Sequence, residues 1–223
     1  MYTLENFQSF IDLNKEEKYR VFQSKLIRTS YVFNGVRMPL LKKEAKIVAN
    51  NCDVKEFFAW KTTCYEQVAV QGYILAIKSK SQQFYGLLED YVGKIDDWSL
   101  CDVACCAVKR KDEEYFKKCS EYARSSDEWR ARWGIVALMV NYLDKDEETL
   151  SDVLKSVKQG KYYVDMALAW LLQVLAVKYE EKAISAIKTL ELSKTVKKMT
   201  AGKIRDSFRI SKEKKEFFKN LLL

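Results

Sequence analysis

Five apolar segments recur along the chain at a nearly constant interval, and this recurrence limits its fold more than any other feature. They are CYEQVAVQGYILAI (64–77), WSLCDVACCAVKR (98–110), WRARWGIVALMVNYL (129–143), YYVDMALAWLLQVLAV (162–177) and TVKKMTAGKIRDSFRI (195–210). Their leading residues Tyr65, Trp98, Trp129, Tyr163 and Val196 stand 33, 31, 34 and 33 residues apart. Shorter amphipathic stretches lie between them: QQFYGLLEDYVGKI (82–95), DEEYFKKCSEYARS (112–125) and DEETLSDVLKSVKQ (146–159). One apolar and one amphipathic helix per interval of about 33 residues is the pattern of a solenoid, in which stacked neighbours bury what a single repeat cannot. The sequence therefore predicts an all-α chain, an α–α superhelix of helical repeats with a concave face, forming one domain over residues 1–223. A plain helical bundle would not require the regular interval.

The breakers agree with this reading. One proline (Pro39) and seven glycines in 223 residues favour helix over sheet. Ahead of the repeats, residues 4–13, 15–29 and 37–50 carry helical periodicity, with Pro39 in the first turn of the third helix, where proline is tolerated. No G-x-x-x-x-G-K-[ST], G-x-G-x-x-G or G-x-S-x-G motif is present, which argues against the nucleotide-binding and hydrolase folds that use them.

The net charge of +8 is concentrated at one end. Residues 194–223 hold ten Lys and Arg against three acids, so +7 of it lies there. Such a segment suits phosphate contact and is equally the composition of a solvated terminal helix. Six cysteines without CxxC pairs and without any histidine read as reduced core thiols, with no metal site expected. No apolar run spans a bilayer and the acidic start resembles no signal peptide, so the expected location is the cytoplasm, away from membranes.

Spacing also groups the residues that could carry chemistry. Trp98 and Asp102 are i, i+4, Trp129 and Arg132 are i, i+3, and Tyr162, Tyr163 and Trp170 follow on the next apolar segment. Residues separated in this way share a helix face, and on adjacent inner helices these sets could converge on one patch. A tryptophan at helical spacing is by itself more often core than site. Asp102 is harder to assign to the core, because a carboxylate in an apolar helix is costly unless paired or functional. A structural Asp102–Arg132 pair would satisfy that requirement too. From spacing alone the result is an acidic-aromatic site without a defined reaction.

Several stretches in order, FNGVRMPLLKKEAKIV (33–48), KIDDWSLCD (94–102), SSDEWRARWGIVALM (125–139), YYVDMALAWLL (162–172) and AGKIRDSFRIS (201–211), resemble the AlkD-like HEAT-repeat DNA alkylation-repair glycosylases. The resemblance covers most of the chain. It implies a monomeric enzyme, free of cofactors, that acts on double-stranded DNA and excises alkylated bases. By it, Trp98 and Trp170 stack near the lesion, Asp102 is the catalytic carboxylate, and Arg132, Lys203 and Arg205 contact phosphates. Trp129, Tyr162 and Tyr163 line the site. A non-catalytic relative binding branched or distorted DNA, or a protein-interaction scaffold, would share the same fold.

Overall fold

The structure, a computed structural model, describes residues 2–223. Among these it contains fourteen α-helices and no strand beyond an isolated bridge between Val32 and Cys64. The helices are α1 (Leu4–Asn14), α2 (Glu17–Gln23), α3 (Met38–Asn51), α4 (Val54–Ala59), α5 (Tyr65–Ile77), α6 (Phe84–Val92), α7 (Trp98–Ala107), α8 (Glu113–Ala123), α9 (Glu128–Asn141), α10 (Glu147–Lys155), α11 (Tyr162–Lys178), α12 (Glu180–Thr189), α13 (Lys194–Asp206) and α14 (Lys212–Leu222). Their starts are set locally. Asp97, Asp112, Asp127, Asp146, Ser193 and Ser211 each accept a backbone N–H of the turn that follows, as N-cap side chains do. Pro39 falls in the first turn of α3, where its missing N–H has no helical partner to lose.

The chain divides into two compact units, Met1–Arg110 and Lys111–Leu223. In the first, α3 packs on α5 and α5 on α7, while α4 and α6 pack against each other and against α5. In the second, α9, α11 and α13 pack in chain order; α8 lies on α9 and α10, α12 on α11, and α14 on α13. Each unit thus stacks its apolar helices successively and adds amphipathic helices to that layer, which is helical-repeat packing. The burial patterns match. Every residue of α9 from Ala131 to Met139 is buried, as expected of a helix covered all round, whereas α8 buries Tyr115, Phe116, Cys119, Tyr122 and Ala123 along one stripe. The α8–α9 contact is so close that a Cβ on Gly134 would lie 2.3 Å from the Ala123 nitrogen and 2.5 Å from the Cys119 oxygen. Among the described residues, no helix is long and apolar enough to cross a membrane.

One expected element is corrected. The helix read over 15–29 stops at Gln23, and residues 27–37 run without helix to the start of α3. Partners far along the chain account for this. The Glu66 carboxyl group, fully buried, accepts the backbone N–H groups of Asn34, Gly35 and Val36 at 2.9, 2.8 and 3.3 Å, and Asn34 Nδ2 at 3.0 Å. Gly35 takes φ +87°, and a Cβ there would strike the Glu16 carbonyl at 2.7 Å. The turn is therefore a glycine turn gathered around one acid.

Candidate functional site

In the first unit the expected site residues are Trp98 and Asp102. They sit on successive turns of α7, and its first turn is held from below. Asp97, with no exposed surface, accepts the N–H of Ser99 at 2.8 Å and the N–H of Arg28 at 2.9 Å. Asp96 accepts the Ser30 N–H at 2.6 Å and the Thr29 hydroxyl at 2.8 Å, and Tyr31 donates its hydroxyl to the Lys94 carbonyl at 2.9 Å. The segment 28–31 is thereby fastened to the entry of α7. The Trp98 indole N–H completes the connection by donating to the Leu26 carbonyl at 3.2 Å. Trp98 keeps 36% of its surface exposed, so its orientation is fixed while its ring stays accessible. One turn on, Asp102 is half-buried, flanked by Cys101 and Cys105, which are fully buried. An aspartate directly before an apolar helix is a capping signal that could have marked Asp97, but nothing local reveals the chain segment it captures.

The other seven expected residues belong to the second unit. Trp129 of α9 stacks on Tyr163 of α11, with ring centroids 4.8 Å apart and planes 33° from parallel. Tyr162 meets Tyr163 edge to face at 5.1 Å and is mostly exposed. Arg132 donates from Nη1 to the Tyr163 carbonyl at 2.8 Å, and its guanidinium lies 5.9 Å from the Tyr163 ring centre. These four residues form one cluster, with Tyr163 at its centre. Arg132 is only 4% exposed, which suits a residue that fixes the cluster. The first turn of α11 has no cap from its own side chains; Glu128 of α9 provides one, accepting the Tyr163 N–H at 2.9 Å. Asp165 is buried as well, its carboxyl group accepting the Gly160 N–H at 2.9 Å, so it braces the turn ahead of α11 and adds little charge to the surface.

Trp170 lies seven residues beyond Tyr163, almost two turns along the same face of α11. Lys203 of α13 holds its ammonium 5.9 Å from the Trp170 ring centre, within cation–π range. Trp170 and Lys203 also line a cleft of about 590 Å³ shared with Gln173, Lys178, Phe208 and Arg209. Arg205 is exposed and pairs with neighbouring Asp206 at 2.9 Å; the guanidinium holds the Asp206 carboxyl group below its ordinary range. Solvent and salt screen such a pair.

Sequence reasoning did not single out Asp96, Asp97, Glu128 or Phe208. The first three act through backbone groups distant in the chain. Phe208 read as the end of an apolar helix, but α13 ends at Asp206. Comparison with curated proteins returned no match. The family model described as DNA alkylation repair enzyme matches residues 4–209, a span that takes in all nine expected site residues, and the chain belongs to that family.

Proposed function

We propose that this protein is a DNA N-glycosylase that excises cationic alkylated purines, 3-methyladenine and 7-methylguanine, from double-stranded DNA. Membership of the family supports a role in the repair of alkylated DNA. The observation that favours excision is the α7 pair: an accessible indole held by its N–H and a half-buried carboxyl group one turn further along.

Alkylation leaves the base positively charged, so the C1′–N bond can break with its electron pair going to the base and no proton delivered to the leaving group. The lack of histidine is then no obstacle. The sugar needs help, because positive charge develops at C1′. An ionised Asp102 stabilises that charge by electrostatic preorganisation and orients the water whose oxygen bonds to C1′, the released proton passing to solvent. The Trp98 face attracts the cationic base by roughly 0.5–2 kcal/mol; Trp170 offers a second indole face to DNA. In this reading Lys203 and Arg205 meet phosphates, and Trp129, Tyr162 and Tyr163 line the DNA-facing surface. Arg132 contributes its positive charge to the phosphate contact from a buried position while fixing Tyr163. The protein acts as a single monomeric repeat domain in the cytoplasm, without a cofactor.

The test is release of free 7-methylguanine from methylated duplex DNA by the intact protein. Asp102→Asn is expected to slow release by roughly 100-fold or more while leaving duplex affinity nearly unchanged. No release by the intact protein would overturn excision. Salt-sensitive DNA binding without release would then assign a non-catalytic DNA-binding role, and no DNA binding at low salt a protein scaffold.

A further inference from the structure

The segment 207–211 joins α13 to α14 and carries the most exposed large apolar side chain among the described residues, Phe208, at 103%. A single exposed apolar residue is ordinary on a protein surface. The setting of this one is not. The chain is anchored on both sides of it: Ile204 and Ile210 are buried, and the Ser207 hydroxyl accepts the Arg209 N–H at 3.3 Å and Gln173 Nε2 at 3.4 Å. The ring is therefore presented outward by a short, pinned turn. It borders the cleft that contains Trp170, Lys178, Lys203 and Arg209, with Asp206 the single acid among the residues lining it.

We propose that Phe208 is a base-stacking residue, whose ring takes an unstacked nucleobase of the bound duplex while Lys178, Lys203 and Arg209 meet the flanking phosphates. This inference rests on the DNA-binding reading above. A flat apolar ring among cations is complementary to a base with its phosphates: aromatic side chains stack on any base face, and lysine and arginine track the backbone. An apolar protein partner would gain nothing from the cations around the ring.

The experiment uses the full chain and a duplex carrying 2-aminopurine opposite an abasic-site analogue, which leaves the fluorescent base unpaired. Binding of the wild type should quench the fluorescence by stacking. Phe208→Ala should bind roughly 10-fold more weakly and lose the quenching, and Phe208→Trp should restore both. The salt slope of binding should stay unchanged in Phe208→Ala and fall by about one in Lys203→Ala. Because the ring is fully exposed, Phe208→Ala should melt as the wild type does. If Phe208→Ala retains affinity and quenching, the stacking role is overturned while DNA binding stands. A change in sedimentation of the free protein, with DNA binding intact, would overturn it in favour of a protein contact. If the wild type binds no DNA, both this inference and the proposed function fall.

Discussion

Replacing Gly134 by alanine tests the packing that supports the second unit. The new Cβ would lie 2.3 Å from the Ala123 nitrogen, 2.5 Å from the Cys119 oxygen and 2.8 Å from the Ala123 Cα. All three are backbone atoms of α8, so no rotamer change relieves the overlap, and the two helices must separate by about 1 Å to restore ordinary contact. Overpacking of this kind costs roughly 1–3 kcal/mol, and backbone-on-backbone contact puts this site near the upper end. Alanine regains about 1 kcal/mol over glycine inside a helix. The net expectation is a loss of about 2 kcal/mol, which in a chain of this size lowers the melting temperature by roughly 4–8 °C. Gly86 in α6 is the control: nothing lies within 4 Å of its added Cβ, so Gly86→Ala should stabilise by about 0.5–1 kcal/mol. Calorimetry or thermal circular dichroism on the two variants reads both signs. A Gly134→Ala protein as stable as wild type would refute the closeness of α8 and α9.

Other perturbations probe different contacts. Asp97→Ala leaves the Arg28 and Ser99 N–H groups without their buried acceptor and should destabilise the protein by about 3 kcal/mol. It should also speed proteolysis within residues 24–37; unchanged cleavage would show that the segment is held by other contacts. Glu66→Gln turns a donor towards Asn34 Nδ2 in place of an acceptor and should cost about 2 kcal/mol in chemical denaturation, with a loss below measurement error counting against the Glu66-centred turn. Among the thiols, Cys64, Cys101, Cys105 and Cys119 are buried, and burial pushes Cys64 up to about 11. A native-state thiol titration should thus find only Cys52 and Cys106 reacting promptly, and prompt reaction of a third would contradict the packing.

The fold was legible where the sequence carries a period. Tyr65, Trp98 and Tyr162, the last one residue before its expected leader, each open an apolar helix, because alternating burial between layers is written directly into hydrophobic spacing. Legibility ended where long-range hydrogen bonds override local propensity. Residues 24–29 have helical composition, yet they serve Asp96, Asp97 and Trp98, partners no local window contains. The short helix α4 was missed because six residues give too few turns for a periodic signal. The site divides in the same way. Spacing put Trp98 with Asp102 and Trp129 near Tyr163. It did not reveal that Arg132 is buried beneath an aromatic cluster, or that Asp165 turns inward onto Gly160.

The fastening of residues 26–31 to residues 94–98 also sets an order of events during synthesis. Each of those hydrogen bonds spans between 63 and 72 residues of chain. A ribosome adding 5–20 residues per second needs roughly 3–14 s to supply the far partner once the near one is made. Until then the first helices emerge with an unanchored strap trailing behind them, exposed to proteases and chaperones. The strap closes only when the entry to α7 has left the exit tunnel, so the growing chain secures residues 26–31 just as the helix that carries Trp98 and Asp102 begins to emerge.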